Sequence, residues 1–105
     1  MNTGLILAAV VTVAAASFAA PALADGKALY MEKTCIACHG KDAKKPLTPE
    51  YPRLAGQNAK YAENQMKDIK SGARANGNTA AMKGVMHLVT DEDIKELAKY
   101  LSEIK

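Results

Sequence analysis

A chain of 105 residues is long enough for one domain and short for two. Its formal net charge of +3 is too modest for a nucleic-acid-binding surface, and no basic stretch interleaved with aromatics supplies one. Tryptophan is absent and the single phenylalanine is Phe18, so a core built from the later residues has only Tyr30, Tyr51, Tyr61 and Tyr100 for aromatic volume.

The chain opens on an apolar run of small residues, Leu5 to Ala20, with no charged side chain before Asp25. Pro21 ends the run, and Ala22-Leu23-Ala24 is an A-x-A cleavage pattern. Residues 1–24 read as a cleaved secretory signal peptide, leaving residues 25–105 as one domain. Met1 to Gly4 carries no Lys or Arg, which departs from the usual leader and keeps an uncleaved anchor as the alternative. Pro21 and the small residues favour cleavage, after which no stable membrane insertion is expected. No cysteine lies near the cleavage point to take a lipid.

Asp25 is placed to cap a first helix running to Cys35, with Ala28, Leu29 and Met31 as its apolar surface. Cys35-Ile36-Ala37-Cys38-His39 follows, and C-x-x-C-H is the spacing of a c-type haem attachment site. Two cysteines three apart on a helical turn face one way, so both sulfurs can reach the two vinyl groups on one porphyrin edge. The adjacent imidazole can take an axial position on the iron. Three other chemistries use similar residues. A thioredoxin-like pair needs a βαβ setting, which is not seen here. Structural zinc needs four ligands, and only Cys35, Cys38, His39 and distant His87 are available. A plain disulfide is the third. A covalent haem would also staple a small domain and fill the volume its missing aromatics leave.

Lys41 to Gly56, with Pro46, Pro49 and Pro52, reads as a loop. Ala59 to Lys70 reads as a second helix with Ala62, Met66 and Ile69 on one stripe, stopped at Ser71-Gly72. Gly72 to Gly84 reads as a second loop. Thr90 caps a third helix, with Asp91, Glu92 and Asp93 suiting its positive end and Ile94, Leu97, Ala98, Leu101 and Ile104 forming an apolar face. The expectation is a small all-α domain with three main helices and loops wrapped around one covalent haem. A second axial ligand could come from Met66, Met82, Met86 or His87. Met66 sits on a core stripe, and His87 would give bis-histidine ligation at a lower potential.

Taken in this order, residues 25–105 resemble the class I cytochromes c, especially the small monohaem bacterial c-553 type and one half of the dihaem periplasmic cytochromes. Gly26 and Tyr30 match the residues of the first helix that pack on the last, where Leu97 and Tyr100 match the partners. Tyr51-Pro52-Arg53-Leu54-Ala55-Gly56 is similar to the family's Pro-x-Leu-x-Gly loop. The resemblance implies haem c bound through Cys35 and Cys38 and ligated by His39 and Met82. It further implies a Pro52 carbonyl that accepts from His39, and Leu54 packed with Met66 and Ile69 to keep water from the ring. Met82 matches the methionine preceding the last helix, ahead of Met86.

That resemblance implies a periplasmic one-electron carrier, a monomer and not an enzyme. It would shuttle between a donor dehydrogenase or quinol-oxidising complex and a terminal oxidase or reductase. The alternative is a haem c subunit of an enzyme complex such as a flavocytochrome dehydrogenase. Charge is uneven, with eleven basic and six acidic residues over Asp25–Thr90 and three against five beyond. Lys41, Lys44, Lys45, Arg53, Lys60 and Lys83 lie in or beside segments expected near the haem, and such a rim would steer toward an acidic redox partner.

Overall fold

The computed structural model describes Gly4, Ala9 and residues 25–105. The leader expected over residues 1–24 therefore lies outside the described residues, except at those two positions. The described residues form five helices and no strand: α1 (Gly26–Glu32), α2 (Cys35–His39), α3 (Ala59–Ser71), α4 (Thr79–Met86) and α5 (Asp91–Glu103). None is long and apolar enough to cross a membrane.

Local chemistry explains most of the boundaries. Asp25 Oδ1 accepts the Ala28 N–H at 2.8 Å and starts α1. Asn58 caps α3 through Tyr61 N, and Gly72 ends that helix in the left-handed region. Thr90 and Asp93 form a reciprocal capping box at α5, each side chain bonding the other's backbone N–H at 3.1 Å.

Two boundaries differ from the sequence reading. The first helix does not run on to the cysteines: it stops at Lys33, and Thr34 turns the chain with φ 65°. The Gly72–Gly84 loop is also shorter than expected, because Thr79–Met86 is helical. Ala80, Ala81, Met82 and Lys83 are good helix formers, and α4 packs on α3. Gly84 marks no break.

The core lies where α5 is crossed by α1 on one side and packed by α3 on the other. Leu29, Tyr30, Met66, Ile69, Ile94, Leu97 and Leu101 are buried in it, joined by Met86 and Val89. At the α1–α5 crossing, the Tyr30 and Tyr100 rings sit 5.7 Å apart and tilted. Gly26 makes that crossing possible, since a Cβ there would lie 2.2 Å from the Glu96 carbonyl oxygen.

Candidate functional site

Thr34 is the pivot that sets α2 apart from α1, and α2 carries all three motif residues. Cys35 is half-buried and packs against the core, Cys38 is exposed, and both are free thiols. His39 is buried, with 6 % of its surface exposed, and no other polar or charged residue among those described is buried to this degree. Its Nδ1 lies 3.0 Å from the Pro52 carbonyl oxygen. A carbonyl only accepts, so Nδ1 carries the proton and donates, and Nε2 of the neutral ring keeps its lone pair. Burial holds the His39 pKa below its usual value, against the opposing pull of the Pro52 carbonyl. A neutral imidazole with a fixed tautomer and a free Nε2 is the ligand form for a metal.

The backbone around this pair is clamped. Leu54 and Ala55 both donate to the Ala43 carbonyl, at 2.9 and 3.1 Å, and Gly56 donates to Leu101 O at 2.8 Å. These bonds fix the segment just after Pro52 to the far loop and to α5. On the other side the Tyr30 hydroxyl donates to the Gly40 carbonyl and anchors the exit of α2. Gly40 is needed there: its φ is 87°, and a Cβ would lie 2.2 Å from the Lys45 carbonyl oxygen. The Tyr51 ring stands 6.4 Å from the imidazole.

The four sixth-ligand candidates are placed differently. Met66 on α3 and Met86 at the end of α4 are buried core residues, at 8 % and 1 % exposure. His87 is exposed at the C-cap of α4. Met82 is half-buried on α4 and packs against the core edge, on a helix and not in the flexible loop expected for it. Cys35 and Ile36 of α2, Leu54 and Ala55 of the proline-rich loop, Met82 of α4, and Tyr100 and Ile104 are partly buried and pack against the core. A tautomer-fixed imidazole on the same short helix as two free cysteines is a donor set that fits a covalently held group carrying a metal for Nε2.

The competing chemistries fit less well. A reactive C-x-x-C pair works through a depressed thiol, whereas burial pushes the Cys35 thiol up. No three His, Cys, Asp or Glu side chains cluster as metal ligands among the described residues, so a four-ligand zinc site lacks donors. Ala43 was invisible in the sequence as a site residue. It is fully buried at φ 56° and takes part in three backbone hydrogen bonds, and nothing in its local sequence signals this. Tyr30 is both a helix-crossing residue and, through its hydroxyl, a donor to the Gly40 carbonyl.

Comparison with known proteins gives a consistent result. The cytochrome c family model matches residues 23–105. Cytochrome c-554(548) of Halomonas halodenitrificans is 45 % identical over 69 residues, which is 66 % of this chain and 82 % of that protein. A thiosulfate dehydrogenase electron acceptor of Stutzerimonas stutzeri is 34 % identical over 85 residues, 74 % of this chain and 38 % of that one. The crystal structure of reduced recombinant cytochrome c4 from Pseudomonas stutzeri matches with a TM-score of 0.67 at 28 % identity, covering 76 % of this chain and 46 % of the other. The chain thus spans less than half the length of the last two.

Proposed function

Because this chain belongs to the cytochrome c family, we propose that it is a periplasmic one-electron carrier whose haem is low-spin and ligated by His39 and Met82. The cofactor is haem c, with Cys35 and Cys38 as the attachment residues and His39 beside them. When bound, it supplies a one-electron couple.

His39 offers Nε2 because Pro52 holds Nδ1–H, and a hydrogen-bonded imidazole is a stronger, better oriented donor. This 3.0 Å contact is the observation that carries the proposal. Among Met66, Met82 and Met86, Met82 is the half-buried one, which leaves its thioether more accessible than the two core methionines. A thioether ligand raises the potential relative to a second imidazole. His39 and Met82 together would leave no open position for a substrate, so the proposed role is transfer and not catalysis. Leu54, Met66 and Ile69, buried or half-buried, would exclude water from the group and keep its surroundings apolar. Export by cleavage after Ala24 would deliver residues 25–105 as a soluble monomer to the compartment where c-type haem is attached.

A second reading is favoured by one comparison, the relative described as a thiosulfate dehydrogenase electron acceptor. In it the chain serves a single dehydrogenase in a standing complex. A redox titration of the holoprotein tests the main reading. The expected result is a single one-electron wave, with no carbon monoxide binding to the reduced form. Carbon monoxide binding would overturn it, and co-purification in fixed ratio with one dehydrogenase would replace the shuttle by the dedicated acceptor.

A further inference from the structure

We propose that the hydrogen bond from Asn78 to Glu50 is a tether that holds α4, the helix bearing Met82, to the loop that orients His39. Asn78 and Glu50 are then positioning residues for the electron carrier. The inference rests on the reading of His39 and Met82 as axial ligands and adds what keeps the second one in place.

Helix α4 is weak by its own sequence. It has eight residues, Thr79–Met86, with Gly84 inside it. An isolated helix shorter than roughly 12 residues is marginal in water, so contacts must hold it. Among the described residues α4 packs against α3 and against no other helix. Its N-cap residue is Asn78, a good capping type, yet the Asn78 side chain makes no capping bond. Its Nδ2 donates instead to Glu50 Oε2 at 2.8 Å, across 28 positions of the chain. The helix thus forgoes a local stabilisation in favour of a long-range bond.

That bond joins the two stretches that carry the proposed ligand and its support. Glu50 lies two residues before Pro52, whose carbonyl fixes the His39 tautomer. The Tyr51 N–H donates to Thr48 O at 3.2 Å and closes a turn around Glu50. Asn78 lies four residues before Met82, about one helical turn. Among the described residues no other hydrogen bond runs between the proline-rich loop and residues 72–88.

The flanks of α4 are hydrogen-bonded to α3. Arg74 donates from its backbone to Asp68 O and from its guanidinium to Gln65 Oε1, both at 3.0 Å. Beyond the helix, Lys70 Nζ donates to Val89 O at 2.5 Å. These bonds fix where the segment leaves α3 and returns to it, and none of them reaches the loop. Asn78–Glu50 does, and its carboxylate acceptor makes it stronger than a neutral pair. Partners that orient a metal ligand carry part of its affinity without touching the metal.

The test uses the oxidised holoprotein, its sulfur-to-iron absorption recorded first, titrated with imidazole as a competitor for the position of the thioether. Asn78→Ala and Glu50→Ala should each strengthen imidazole binding about fivefold, the effect of one exposed hydrogen bond to a charged group. The double variant should do no more than either alone, because both remove the same contact. Glu50→Gln keeps an acceptor oxygen and should restore most of the original affinity. Amide exchange over Thr79–Met86 should quicken in the two alanine variants while that of α5 is unchanged. Unchanged imidazole affinity in Asn78→Ala, additive effects in the double variant, or equal quickening in α5 would overturn the proposal. Sulfur-to-iron absorption that is absent, or that survives Met82→Ala, would instead overturn the ligand assignment. The amide exchange of α4 still tests the tether in that case, so the two failures are distinguishable.

Discussion

Replacing Gly26 by Ala should cost this domain a large part of its stability. A Cβ at position 26 would lie 2.2 Å from the Glu96 carbonyl oxygen and 2.4 Å from the Tyr100 Cβ. Neither obstacle can swing aside, since one is backbone and the other is the first carbon of a side chain. Ordinary contact needs about 3.5 Å, so α1 and α5 must part by roughly 1 Å. The same crossing buries Tyr30 at 1 % exposure and Leu97 at 2 %, and a gap of that size forfeits roughly a quarter to a half of their dispersion attraction. Overpacking a core typically costs about 1–3 kcal/mol, and a backbone obstacle belongs at the upper end. Alanine returns less than about 1 kcal/mol of helix propensity, because Gly26 is on the first turn. The net expectation is a loss of about 2–3 kcal/mol, against a total of roughly 5–15 kcal/mol for a domain. Guanidinium unfolding of the holoprotein, followed by far-ultraviolet circular dichroism, reads this directly. A loss under about 0.5 kcal/mol, the range of an ordinary surface change, would refute the close-approach argument.

Other substitutions separate ligand, core and titration effects. Met82→Ala should abolish the sulfur-to-iron absorption and lower the potential. Met86→Ala should keep that absorption and cost about 2–5 kcal/mol, as a fully buried truncation does, and the reverse pattern would move the ligand to Met86. Burial pushes the Tyr30 phenol up from 10.0 to about 12. A raised folded-state pKa favours the neutral, folded form, so that stability is whole below pH 10 and is lost as pH rises through about 12. Tyr30→Phe should flatten the stability loss over that window, and an unchanged alkaline slope would contradict it. It should also cost about 1 kcal/mol at neutral pH for the lost hydrogen bond to Gly40. Thr90→Ala should destabilise by about 1 kcal/mol through loss of the α5 capping box, measurable as a lower denaturation midpoint at constant slope.

What the sequence showed and what it hid follow from the range of the forces involved. Caps and stripes are local, so Asp25, Thr90 and the Ala62–Met66–Ile69 stripe could be read directly, and helices formed there. The C-x-x-C-H spacing is likewise self-contained within α2. The break at Thr34 was hidden because no glycine or proline marks it, and a threonine gives no local signal for a left-handed turn. Helix α4 was hidden because Gly77 precedes it and Gly84 lies inside it, two glycines that read as loop, while its packing on α3 is not a local signal. Ala43 depends on bonds from Leu54 and Ala55, eleven and more positions away, and its own neighbours give no signal for that. The Gly26 contact was legible only through resemblance, since close approach is a property of two helices and not of one.

The central claim is that His39 and a methionine sulfur fill both axial positions. The absorption spectrum of the purified holoprotein, oxidised and reduced, tests it most directly. A weak far-red sulfur-to-iron band in the oxidised form, with sharp low-spin bands on reduction that carbon monoxide leaves unchanged, is the expected result. A high-spin spectrum, or one that shifts with carbon monoxide, would mean an open axial position and would contradict the account.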